Sequence, residues 1–160
     1  MLIRPATTAD LSLIRALEQQ ADTAAHWSER DYEALFAPDT PKRITLIASE
    51  TGEAKLLGFV IAHCSSDQWE IENIVVAPEH RRRRIGRALL REMLDLAREL
   101  GAKSVLLEVR DSNAAARQFY AGFGFAEVAR RRAYYRDPEE DALLLNLSIA
   151  KDEGLRAPAE

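Results

Sequence analysis

The sequence predicts a single domain of the α/β (α+β) class built on a mixed sheet, and three observations carry that prediction. Residues 69–76 are rich in β-branched and aromatic side chains and stop at Ala77-Pro78, because proline lacks an amide donor and restricts the residue before it. Beyond a short basic loop, Ile85, Leu89, Met93, Leu96 and Leu100 recur at intervals of three or four, the spacing of one helix face. The stretch SVLLEVR at 104–110 then reads as a second strand, parallel to the first because a helix crosses over between them.

Local signals supply the remaining elements. Residues 2–4 form a short strand ended by Pro5. Thr7 with Asp10 three residues later has the form of a capping box, and Leu11, Ile14, Leu17 and Ala21 mark one face of a helix over 8–22. A break at 24–27 precedes a second short helix, capped by Ser28, running to about residue 36 and closed by Pro38 and Pro41. Strands at 43–49 and 55–64 pair as a hairpin around Glu50, Thr51, Gly52 and Glu53. The long helix ends at Gly101, suited to the position after a C-cap. Asp111, Ser112 or Asn113 caps a further helix to about residue 121, Gly122-Phe123-Gly124-Phe125 turns the chain, and strands at 126–136 and 142–150 form a last hairpin around Asp137-Pro138-Glu139-Glu140. The domain thus spans 1–150, and the charged tail at 151–160 is expected to be disordered.

Composition narrows the function. With 160 residues and 47% apolar content, the chain can bury one sizeable core. A net charge of -4 speaks against nucleic acid or an anionic membrane as partner, while arginines clustered at 81–84 and 130–132 suit a small anionic ligand. The single cysteine, Cys64, has no disulfide partner and lies in an apolar run that suits a buried thiol. The three histidines lack partners at metal spacing, so no metal site is expected. The first ten residues hold no signal-like apolar segment, and the longest apolar run, near 56–62, is far short of the ~20 residues of a membrane span. A cytoplasmic protein is expected.

The strand–loop–helix unit is where chemistry is expected. The first turn of a helix leaves its amides unpartnered and carries the positive end of the dipole, and Arg81 to Arg84 with Arg87 add charge there. Gly86, lacking Cβ, would let a phosphate approach the backbone. From the charge run alone, a solvated surface turn or a nucleic-acid patch stays open. Glu108 sits in an otherwise apolar strand, so it must face water, a partner or a ligand. Glu70 and Glu72 share one face of the other strand by period-two alternation, which would bring carboxylates from two parallel strands to a common cleft. On the helix that follows, Asn113, Ala116 or Arg117, and Tyr120 share a face, with Tyr120 either a core residue or a group at the cleft.

Taken together, several segments make the chain resemble the GNAT superfamily of N-acetyltransferases. They are Asn73-Ile74-Val75-Val76 with Ala77-Pro78, the loop from Arg81 to Arg87, Leu107-Glu108-Val109-Arg110, Asp111-Ser112-Asn113-Ala114-Ala115-Ala116, Phe119-Tyr120, Gly124-Phe125, and Arg131-Arg132-Ala133-Tyr134-Tyr135, with Trp27-Ser28 also fitting. Within the superfamily the likeness is to the bacterial RimI type, which acetylates the N-terminal amine of a ribosomal protein.

This resemblance implies a GNAT fold, a twisted mixed sheet of about seven strands whose parallel pair splays apart to hold acetyl-CoA, flanked by about four helices. It implies that pantetheine pairs with backbone at Ile74, Val75 and Val76, and that the pyrophosphate sits on the amides of Arg82, Arg83, Arg84, Ile85, Gly86 and Arg87. Asn113 would contact the cofactor as well. Glu108 would be general base and Tyr120 general acid. Trp27, Glu72, Tyr134 and Tyr135 would bind the acceptor, a protein N-terminus. Arg84 stands where the family loop usually has glycine. Related enzymes acting on lysine side chains or small amines, or a noncatalytic acyl-CoA-binding module, are the alternatives.

Overall fold

The computed structural model describes residues 1–21, 27–38, 42–51 and 55–149. The expected tail at 151–160 lies outside them, as do Gly52, Glu53, Pro41 and residues 24–26 of the expected break. The strands are β1 (Leu2–Pro5), β2 (Arg43–Ser49), β3 (Leu56–Cys64), β4 (Gln68–Val76), β5 (Ser104–Arg110), β6 (Ala126–Tyr135) and β7 (Glu140–Ser148), and the helices are α1 (Leu11–Gln19), α2 (Glu29–Ala34), α3 (Ile85–Glu99) and α4 (Ala114–Ala121). One sheet contains all seven strands in the order β1-β2-β3-β4-β5-β7-β6. Among the described residues only β4 and β5 are parallel neighbours, and the other pairs are antiparallel.

Element boundaries follow local chemistry more closely than the patterns predict. The first helix opens with a 3-10 turn over Thr8–Asp10 and becomes α-helical only at Leu11. Asp10 governs that turn: its carboxylate accepts from the Thr7 backbone N–H at 2.8 Å and from both terminal nitrogens of Arg4 at 2.8 Å each, tying the turn to β1. Ser28 caps α2 reciprocally with Asp31, the Ser28 N–H donating to Asp31 Oδ2 at 2.9 Å and the Asp31 N–H to Ser28 Oγ at 3.3 Å. The last strand starts at Glu140, earlier than predicted, because Glu140 pairs with Tyr135 to close the hairpin.

Two apolar clusters cover the two faces of the sheet. On one face α3 buries Ile85, Leu89, Leu90, Met93, Leu94 and Ala97. Full burial of a side chain of this size stabilises by about 1.5–3 kcal/mol, so α3 is a principal anchor of the sheet. Leu100, predicted to belong to that stripe, is 53% exposed, since the helix has ended at Glu99 and Leu100 is its C-cap. Gly101 follows with φ +86°, as a residue after a C-cap should. The opposite face carries α1 and α2, with Ile14, Leu17 and Tyr32 packed on Ile47, Phe59, Ile61 and Val75.

β4 changes face part-way along its length. Ile61 of β3 pairs with Asn73, but Ala62 pairs with Ile71, so Glu72 is the extra residue of a bulge. Before it, Trp69 and Ile71 face α3; after it, Ile74 and Val76 do, while Val75 turns to the α1/α2 side. The alternation that pairs Glu70 with Glu72 therefore shifts by one residue beyond Glu72.

Candidate active site

The parallel strands pair only from Gln68/Ser104 to Ile71/Leu107 and separate beyond that point. The opening is a cleft of about 590 Å³. One wall is Glu72, Ile74, Val75 and Val76 of β4, and the other is Glu108 and Arg110 of β5. Gly86 closes one end from the first turn of α3, and Asn113, Phe119 and Tyr120 line the side formed by α4 and the residue before it.

Most of the residues singled out in the sequence meet here. Glu108, Tyr120, Ile74, Val75, Val76, Gly86, Asn113, Glu72 and Tyr135 all line the cleft. Others stand outside its lining. Ile85 is buried beneath α3, and Arg82, Arg83, Arg84 and Arg87 are exposed on the loop and helix surface. Trp27 and Tyr134 also stand back from the cleft. Among the liners to which sequence reasoning gave no site role of their own are Arg81, Arg110 and Phe119. Arg110 was detectable, since it lies two residues from Glu108 and so on the same strand face. Nothing in an arginine run distinguishes Arg81 from its neighbours.

The loop into α3 has the shape that its glycine-poor sequence calls into question. Arg82 and Arg84 have φ of 63° and 62°, both left-handed. An L-residue pays about 1–2 kcal/mol for that conformation, and Arg84 adopts it with its side chain exposed. At Gly86 an added Cβ would meet Val76 Cγ2 at 3.4 Å and Phe119 Cζ at 3.8 Å, ordinary contacts. The protein's own packing therefore tolerates a methyl at 86, and any need for glycine there comes from what enters the cleft.

Side chains in and around the cleft are held by specific partners. Asn113 caps α4, its Oδ1 accepting from the Ala116 N–H at 3.1 Å. Tyr120 is 7% exposed and locked edge-on between Phe119, at 5.2 Å, and Phe125, at 5.7 Å. Burial pushes its hydroxyl up to about 12, so it is a protonated donor across the neutral range. Glu108 pairs with Arg131 at 3.3 Å, and Glu72 is gripped by Arg43, with Nε and Nη2 at 2.6 and 3.0 Å. Burial, and then Glu72 and Glu108, raise the carboxyl of Glu70 above the usual range. Arg110 lies over the Tyr135 ring at 4.0 Å. Cys64 is not among the liners, and burial pushes its thiol up to about 11, which keeps it from acting as a thiolate nucleophile at neutral pH.

Known proteins resemble this chain in sequence and fold. The sequence profile of the acetyltransferase (GNAT) family matches residues 12–125. The chain is 37% identical over 145 residues to the ribosomal protein bS18-alanine N-acetyltransferase of Escherichia coli (strain K12), covering 89% of this chain and 94% of that protein. It is 34% identical over 146 residues to the protein of the same name from Salmonella typhimurium (strain LT2), covering 90% and 95%. The crystal structure of the ribosomal-protein-S18-alanine N-acetyltransferase from Escherichia coli superposes with a TM-score of 0.85 at 34% identity, covering 96% of this chain and 97% of that one.

Proposed function

Because the chain belongs to the acetyltransferase (GNAT) family, we propose that it transfers acetyl from acetyl-CoA to the N-terminal α-amine of a protein, with the N-terminal alanine of a ribosomal protein as the acceptor its relatives suggest. The observation that carries this reading is the splayed β4/β5 pair, which sets Glu108 on one wall of a cleft whose side is formed by Tyr120. Such a reaction belongs in the cytoplasm, where ribosomal proteins are made.

The cleft fits acetyl-CoA on two counts. Beyond Ile71 the backbone of β4 no longer pairs with β5, which leaves polar groups near Ile74, Val75 and Val76 for a pantetheine to meet. The first turn of α3, entered through two left-handed arginines and opened by Gly86, offers amides to a pyrophosphate. The backbone of Arg82, Arg83, Arg84, Ile85 and Arg87 would serve there, with the side chains turned to solvent. Arg81, which lines the cleft, adds a cation on the ligand side. Asn113 has committed its Oδ1 to capping α4, so it would meet the cofactor through its amide nitrogen.

When bound, acetyl-CoA supplies the thioester carbon that the amine attacks. An α-amine with a pKa near 8 is roughly one-tenth neutral at pH 7, whereas a lysine near 10.4 is neutral to well under a thousandth. An N-terminus is the easier nucleophile. Glu108 takes the proton that the amine must lose, through water, and Tyr120 gives its hydroxyl proton to the departing sulfur. The Val76 backbone amide, on the cleft wall, donates to the carbonyl oxygen as charge builds there. Tyr135 and Tyr134, stacked edge to face at 5.2 Å, flank the acceptor's path on the β6 side.

The test is CoA release from acetyl-CoA with three acceptors: a peptide with a free N-terminal alanine, an N-terminally blocked peptide carrying lysine, and a polyamine. Activity on the free N-terminus alone supports the reading. Activity confined to the lysine peptide or the polyamine overturns it in favour of another branch of the family, and acetyl-CoA binding without transfer to any amine would make the protein a noncatalytic module.

A further inference from the structure

Glu72, Arg43 and Trp27 form a chain of contacts running from the cleft to the α1/α2 side of the sheet. Glu72 is the bulged residue of β4 and lines the cleft; Arg43, two strands away on β2, reaches across β3 to hold both of its oxygens, at 2.6 and 3.0 Å. Neither side chain is far into solvent, with 21% of Arg43 and 19% of Glu72 exposed. On its other side the Arg43 guanidinium lies over the Trp27 ring, 5.5 Å from the centroid. Trp27 is fixed in turn: its backbone N–H donates to the buried Glu18 carboxylate at 3.0 Å, and its ring packs on Tyr32 at 5.4 Å. A planar guanidinium between an indole and a bidentate carboxylate leaves the carboxylate little freedom to turn.

We propose that Trp27, Arg43 and Glu72 act as one positioning unit on the acceptor side, in which Arg43 orients Glu72 to receive the acceptor's N–H groups and keeps it from serving as a second general base. Each oxygen of Glu72 spends one lone pair on Arg43 and keeps another for the acceptor. Trp27 does not need to touch the acceptor, which accounts for its standing back from the cleft while still shaping it. This inference rests on the acetyl-transfer reading and names what orients the acceptor within it.

The test reads kinetics and fluorescence on the full chain. Arg43→Met and Glu72→Gln are each expected to raise KM for the acceptor peptide roughly tenfold, the size of a lost charge-assisted hydrogen bond, with kcat and KM for acetyl-CoA within about threefold of wild type. Arg43→Lys, which keeps the charge but not the fork, should recover part of the loss, and the Arg43→Met/Glu72→Gln double variant should be no worse than the poorer single one. In a Trp69→Phe background, where Trp27 is the remaining tryptophan, Glu72→Gln and Arg43→Met should each shift its emission and open it to acrylamide. A loss of kcat in Glu72→Gln equal to that in Glu108→Gln would make Glu72 a base and overturn the proposal, as would unchanged Trp27 emission in both variants. Should the wild type acetylate no free N-terminus, the acceptor reading fails, and the positioning unit is judged on Trp27 emission alone.

Discussion

The Glu108 carboxylate and the Arg131 guanidinium meet at 3.3 Å, with the arginine reaching from β6 over the intervening β7. Arg131 is 54% exposed, so the pair contributes no more than about 1 kcal/mol to folding. Glu108→Gln is therefore expected to melt within a few degrees of wild type while losing at least about a hundredfold in kcat, as removal of a general base should. Calorimetry with steady-state kinetics checks both halves; a kcat within tenfold of wild type would remove Glu108 from the mechanism.

Tyr120 sets the alkaline behaviour. Its hydroxyl, pushed up to about 12 by burial, stays protonated well above the ordinary value near 10. Activity is accordingly expected to show no fall attributable to this group below about pH 10. The sign for stability is the same: a raised folded-state value gives a contribution that is whole below pH 10 and is lost as pH climbs toward 12. Tyr120→Phe should remove that loss and lower kcat by about a hundredfold; pH–rate and pH–melting curves of the two proteins are the measurement.

Asp10 sets the acid side. Arg4, then the Thr7 N–H and hydroxyl, hold its carboxyl at about 2. A depressed value means that the stabilisation is present above about pH 4, the ordinary carboxyl range, and disappears as pH falls through 2. Melting temperature should drop between pH 4 and 2 in the wild type and drop less in Asp10→Asn, which starts lower at pH 6.

Arg84 adopts a backbone conformation that glycine holds without strain. Arg84→Gly should raise stability by up to about 1 kcal/mol, the relieved left-handed cost partly offset by the greater freedom of glycine in the unfolded chain. Because the Arg84 side chain is exposed and the proposed cofactor contacts are made by the loop's amides, acetyl-CoA affinity should change less than threefold, as isothermal titration would show. A tenfold loss would assign the guanidinium a direct part in binding.

The order of elements was legible because each carries a local signal: branched residues in β5, three-and-four spacing in α3, Gly101 at its end. The splay was implied only by family resemblance, since no local pattern says that the parallel pairing stops after Ile71 and Leu107. The bulge at Glu72 was hidden for a related reason. It is a register event between β3 and β4, and QWEIENIVV alternates smoothly enough to mask it. Arg43 went unremarked because its importance lies in a partner 29 positions away. Trp27, legible as an anchor, is linked through that arginine to Glu72 on the cleft wall.

None of the cleft's lining residues comes from β3, yet Gly58 on that strand decides where the β4 wall can stand. A Cβ there would lie 2.7 Å from the Val75 carbonyl oxygen and 3.2 Å from Leu89 Cδ1, so even alanine would push the wall and α3 apart. Varying the residues that face the ligand alters the cleft's chemistry at a fixed width. Retuning the width, to admit a longer acyl chain for example, is work for the neighbouring strand, at a position that no survey of ligand-facing residues would select.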